Sequence, residues 1–166
     1  SADILHREWL DSVKDALVEK ESGVLRHKKY RTAVILSNEI QTNDRIHHVL
    51  FYPNFDSVER HRTAMLKVCN HLDVDGRPKV QINSEALARS AEEVGAMIGA
   101  AHAFTPYFGL YGKYDSLAQC YGGMLDYVGF IELGLSADTH FADMIPELGG
   151  MLFFLIPTLT RRGRID

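Results

Sequence analysis

Apolar residues recur at helical spacing in "ILHREWLDSVKDALVEK" (4–20), which predicts an amphipathic helix. The following "GVLRHKKYRTAVILSNEIQ" predicts a short turn and then a strand over "TAVILSNEI" (32–40). "RIHHVLFYPN" (45–54) is apolar and β-rich, and it closes on the breaking pair Pro53–Asn54. A second amphipathic helix is predicted over "FDSVERHRTAMLKVCNHL" (55–72), then a turn at Asp75–Gly76 and Pro78. A third helix covers "SEALARSAEEVGA" (84–96), with Ser84 as its N-cap. "AMIGAAHAF" (96–104) has the pattern of a buried strand, "YDSLAQCYGGML" (114–125) of a short helix, and "YVGFIELGLSAD" (127–138) of another strand. Strands alternating with helices predict an α/β fold with a parallel or mostly parallel sheet.

Composition narrows the class without choosing a function. The chain has 166 residues, 46% of them hydrophobic and 24% charged, enough for one domain with a sizeable core. A formal net charge of −4 gives no general electrostatic grip on nucleic acid. The basic run "RHKKYR" (26–31) is read first as a solvated turn, with local contact to phosphates as the alternative. Cys69 and Cys120 lie far apart and form no CxxC pair, so a zinc ribbon is not expected and a reducing cytoplasm is the simplest setting. No apolar run is long enough to span a membrane. GxSxG, P-loop and GxGxxG patterns are absent, which argues against hydrolase-elbow, NTPase and dinucleotide-binding chemistry.

The polar residues at the predicted strand ends carry more information. Glu39 closes "AVILSNE", His47 and His48 sit in "RIHHVLF", His102 ends "MIGAAH", and Glu132 lies in "VGFIELG" with Asp138 six residues on. His6 falls early in the first helix. Each has an ordinary explanation alone: a solvated strand end, an ion pair, a surface histidine. Together they place imidazoles and carboxylates at the ends of successive strands, where α/β enzymes gather their sites. Such donors suit zinc, manganese or iron. Strand alternation puts His47 and His48 on opposite faces, so only one of the two can be the ligand.

The stretches "DILHREW" (3–9), "SNEIQ" (37–41), "RIHHVLFYPNFDSVE" (45–59), "DGRP" (75–78), "AHAFTPYFGLYGKYDSLAQCYG" (101–122) and "IELGLSAD" (131–138) resemble the PHP-domain metallohydrolase superfamily, in its endonuclease Q-like group. The resemblance implies a partial, open form of a distorted (β/α)7 barrel. It implies a divalent metal, zinc or manganese, held by His6, Glu39, His47, His102 and Asp138. It also implies catalytic roles for Glu39, His102 and Glu132 in hydrolysing phosphodiester bonds of damaged DNA. His6 matches a family histidine whose flanking glycines are absent here.

Two family motifs are missing, an HxH expected before residue 1 and a terminal SDAH. One partial domain is therefore expected over residues 3–154 and a non-family tail over 155–166. Synonymous codons allow the tail to be read one frame on as SDAH-containing sequence, so a frameshift near Phe154 is expected. The incomplete ligand set sets out the alternative expected of the isolated chain: an inactive fragment that binds one metal or none, unless a separate polypeptide completes it. Open sheet edges at "TAVILSNEI" or "YVGFIEL", with the apolar "MLFFLIPTL", predict a homodimer.

Overall fold

The computed structural model describes residues 4–21, 24–73, 77–135 and 137–154. The tail at 155–166 and the turn at Asp75–Gly76 lie outside them. The chain opens with α1 (Arg7–Ala16), and then forms a small antiparallel sheet of β1 (Leu17–Glu21), β2 (Val24–His27) and β3 (Ala33–Val34). The main sheet contains β4 (Leu36–Gln41), β5 (His47–Tyr52), β6 (Met97–Ala100), β7 (Val128–Glu132) and β8 (Leu152–Phe154), in that order. Between these strands lie α2 (Phe55–Met65), α3 (Ser84–Val94), α4 (Leu117–Tyr121) and α5 (Thr139–Asp143).

The main sheet is mixed, which corrects the mostly parallel sheet expected from the sequence. β4, β5 and β6 pair antiparallel, and only β6–β7 and β7–β8 are parallel. The cause is local: residues 42–46 are too few to carry a parallel crossover, so β4 and β5 close as a hairpin. The first predicted helix is also shortened. "LVEKE" leaves it to pair with "VLRH", whose residues were expected to form a turn, because cross-strand pairing outweighs helical periodicity at that point. The third helix is capped one residue earlier than expected, by Asn83, whose side chain accepts from the Ala86 N–H. Gly95 ends it in the left-handed conformation.

α2 and α3 pack together on one face of the sheet. There Leu36, Ile40, Leu50, Ile98 and Ile131 are buried in the main core. Two clusters of polar side chains are hydrogen-bonded in this layer, with Asn38 Nδ2 left without a partner. His48 contacts Tyr121 Oη at 2.9 Å and Ser84 Oγ at 3.0 Å. Tyr52 donates to Asn38 and contacts His61, which reaches Ser90. The opposite face carries a smaller apolar cluster of Val49, Ala101 and Phe130. Among the described residues the sheet stays open, with β4 and β8 as its edges. "YVGFIEL" is therefore not an edge, because β8 covers it. Residues 78–80 bond to the end of β4 through Pro78, Gln41 and Val80.

Candidate metal centre

β4, β6, β7 and β8 run one way and β5 the other. The carboxyl ends of β4, β6 and β7 therefore meet the start of β5 at one end of the sheet. Gln41 lies directly opposite His47, and Glu39 opposite Val49. Residues directly opposite share a face, so Glu39, Gln41 and His47 project together. His48 projects into the core between the helices and Tyr121.

His102 comes two residues after β6, in a left-handed conformation at φ 33°. A non-glycine residue there is uncommon and is held by its surroundings. Its N–H donates to Glu132 Oε2 at 3.1 Å, and the next N–H, of Ala103, donates to the Glu132 carbonyl at 2.8 Å. Two glycines make room for this turn. Gly134 has φ +69°, and a Cβ there would meet His102 Cβ at 2.8 Å. A Cβ at Gly109 would meet the carbonyl of Thr105 at 2.5 Å.

Three ligand atoms converge. His47 Nδ1 lies 3.1 Å from Glu39 Oε1 and 3.0 Å from His102 Nε2, and His102 Nε2 lies 3.5 Å from Glu39 Oε1. These edges are close to the roughly 2.8–3.4 Å between ligands that sit about 2.0–2.1 Å from one ion, the longest exceeding it by about 0.1 Å.

The outer nitrogens decide which protons are present. The Thr105 hydroxyl donates to the carbonyls of His102 and Tyr107 at 2.9 Å, so its oxygen accepts from His102 Nδ1 at 2.8 Å. His102 Nε2 is then a bare lone pair. Gln41 Oε1 accepts from His47 Nε2 at 3.2 Å, closer than the 3.5 Å approach of Arg77, which leaves His47 Nδ1 bare as well. Glu39 Oε1 is buried without a hydrogen bond of good geometry. Three electron-pair donors thus face one another, an arrangement that a cation relieves.

Burial pushes the Glu39 carboxyl up, and the charge of Arg77 is among the influences that hold the group well below the usual carboxylate range. Arg77 Nε sits 2.9 Å away. Burial is also the largest influence on His47 and lowers it, favouring the neutral imidazole that a metal needs. Glu132 is shifted upward, mainly by burial and further by the Glu39 charge. The His47 ring stacks on Phe108 at 4.6 Å, and the His47 backbone N–H donates to the Phe108 carbonyl at 3.0 Å.

Among the described residues Glu39, His47 and His102 form a group that could hold a metal ion. Glu132 adjoins it through the backbone of His102. His6 lies before α1, and its buried Nδ1 has no hydrogen-bond partner. Asp138 caps α5 by accepting from Phe141 N at 2.8 Å. Gln41, Arg77 and Thr105 were not singled out from sequence. Gln41 alone had a signal there, two residues from Glu39 on the same strand face.

The fold is similar to solved structures of endonuclease Q. The lesion-specific endonuclease PfuEndoQ from Pyrococcus furiosus aligns with TM-score 0.84 and 32% identity, over 91% of this chain and 37% of that one. A complex of endonuclease Q with a 27-mer duplex carrying an abasic lesion at the active site gives the same score and identity, over 92% and 38%. The uncharacterized protein MJ0043 of Methanocaldococcus jannaschii is 35% identical over 80 residues, 48% of this chain and 10% of that protein. The uncharacterized protein YqxK of Bacillus subtilis is 26% identical over 137 residues, 78% and 34% respectively. The chain therefore spans about a third or less of these curated relatives and under two fifths of the solved chains. No protein-family profile matches it. No helix among the described residues is long and apolar enough to cross a membrane.

Proposed function

We propose that Glu39, His47 and His102 hold one divalent cation, zinc or manganese, and that the site serves hydrolysis of phosphodiester bonds in damaged DNA. The observation that carries the reading is the convergence of three ligand atoms, from Glu39, His47 and His102, within 3.5 Å of one another. Its direction toward DNA is supported by the structural likeness to a lesion-specific endonuclease.

A bound ion would supply Lewis acidity toward a phosphoryl oxygen. The chain's own groups divide the remaining work. Glu39 is ionised throughout the working range and balances the cation's charge. Arg77, half exposed beside it, offers a positive group to a phosphate. Glu132, shifted upward and next to His102, is the group suited to hold or take a proton. His6 and Asp138 are not among the ligands in this proposal, since one lies before α1 and the other caps α5.

The test pairs metal content with nicking. Purified chain dialysed against zinc or manganese should retain one ion, and Glu39→Gln should lose it. An abasic-site duplex should be nicked by the loaded chain and not by the variant. An ion retained equally by Glu39→Gln sinks the ligand assignment; an ion bound without nicking sinks the hydrolase reading.

A further inference from the structure

β5 begins with two histidines whose rings go to opposite faces, and only His47 belongs to the candidate metal centre. His48 points into the layer where Leu50 is buried, and it is itself fully buried. A leucine would fill that position with no polar ring to satisfy, because a buried polar group costs free energy unless it is hydrogen-bonded. Here both ring nitrogens are engaged, and their partners come from two helices and lead on to the β4–β5 link.

The chemistry of the partners fixes where the protons lie. Asp44 Oδ2 is 2.7 Å from Ser84 Oγ and 3.0 Å from Tyr114 Oη. An ionised carboxylate only accepts, so both hydroxyls donate to it. Ser84 has one hydroxyl proton, so its oxygen is left to accept from His48 Nε2 at 3.0 Å. Thr42 Oγ1, at 3.4 Å from the same nitrogen, donates to the Ile46 carbonyl and so can only accept as well. His48 Nδ1 is then bare and accepts from Tyr121 Oη at 2.9 Å. Ser84 is available for this role because Asn83, not Ser84, caps α3. The run Tyr121, His48, Ser84, Asp44 therefore points one way and ends on a carboxylate in the link between β4 and β5.

We infer that this run makes His48 a positioning residue for His47, holding the first residues of β5 in the rotation that aims the His47 ring at Glu39 and His102. The His47 backbone N–H donates to the Phe108 carbonyl and its carbonyl accepts from Ala101, which fixes the strand's place among its neighbours. The His48 ring, tied down on the far face, resists rotation about the strand axis. One planar peptide unit joins the two residues, so a turn of one redirects the other. The inference rests on the metal-centre reading above, but its first test needs no bound ion.

α3 supplies a matched comparison. Ser90 Oγ stands 3.1 Å from Nε2 of His61, another fully buried histidine, but His61 belongs to α2 and not to a strand that carries a candidate ligand. Ser84→Ala and Ser90→Ala thus each remove a hydroxyl facing Nε2 of a buried histidine. Heteronuclear NMR of the histidine ring nitrogens in the metal-free full chain should find wild-type His48 protonated at Nε2 and bare at Nδ1. The His47 ring signals should move in Ser84→Ala and stay in Ser90→Ala. Tyr121→Phe, which keeps the ring and removes the donor to Nδ1, should move them too, and it carries the comparison if Ser84→Ala does not fold. With cobalt added, Ser84→Ala should shift the visible absorption bands and weaken binding about tenfold, the lower end of the effect of partners outside the ligand set; Ser90→Ala should do neither. A chain that takes up no cobalt sinks the metal reading alone, and the metal-free spectra still decide this one. His48 protonated at Nδ1, His47 signals unmoved in both Ser84→Ala and Tyr121→Phe, or equal changes in Ser84→Ala and Ser90→Ala each overturn the positioning role.

Discussion

Replacing Gly134 with alanine is the sharpest perturbation of the site that leaves every ligand in place. Gly134 has φ +69°, and alanine in that conformation costs about 1–2 kcal/mol. The new Cβ would also stand 2.8 Å from His102 Cβ and 3.2 Å from its Cα. Carbon atoms pack at about 3.5–4.0 Å, so His102 must retreat by about 0.7 Å. It has little freedom to do so elsewhere, being fixed through its N–H to Glu132 Oε2. Metal ligands tolerate about 0.2 Å, so affinity should fall by about 10- to 100-fold. Gly95→Ala is the control. Gly95 has nearly the same φ, +70°, but a Cβ there meets nothing within 4 Å. Both variants should lose comparable stability to strain in urea unfolding, with an additional loss from crowding for Gly134→Ala. Only Gly134→Ala should weaken zinc in competition with a chromophoric chelator. Equal zinc affinity in the two variants would refute the claim that Gly134 positions His102 for an ion.

Thr105→Val keeps the side chain's shape and removes the acceptor for His102 Nδ1, so zinc affinity should drop by about 10- to 100-fold; an unchanged chelator titration contradicts the assigned tautomer. Arg62 is buried, donates to the Leu5 carbonyl, and reaches Asp73 at 2.8 and 2.6 Å; Arg62→Met should cost about 2–3 kcal/mol in urea unfolding, and a cost under about 0.5 kcal/mol contradicts that role. Burial holds His48 and His61 down to about 4, below the unfolded value of about 6.5, so their stabilising effect is complete above pH 6.5 and lost as pH falls toward 4. Each should remove about 2 kcal/mol by pH 5, and a urea midpoint that stays flat from pH 7 to pH 5 contradicts their neutral burial.

Much of the site can be read from local pattern, because strand alternation is a local rule. It separates His47 from His48, and it would have put Gln41 beside Glu39. The "AHAF" histidine and "FIELG" glutamate follow from their places at the ends of apolar runs. Sheet direction is not legible in the alternation of strands and helices, because the five-residue link at 42–46 forces a hairpin. The strand in "LVEKE" is hidden because its apolar residues also continue the helical period of α1. Thr105 and Gly134 matter through contacts made only when separate loops meet around His102. No periodicity in the sequence marks them, though Gly134's positive φ is of the kind that calls for glycine.

X-ray absorption at the zinc edge, on the full chain loaded with one equivalent of zinc, tests the central claim most directly. The account predicts two imidazole nitrogens and one carboxylate oxygen at about 2.0–2.2 Å from a single ion, with one imidazole signal lost in His102→Ala. A spectrum with no imidazole scattering, or one that His102→Ala leaves unaltered, would contradict it.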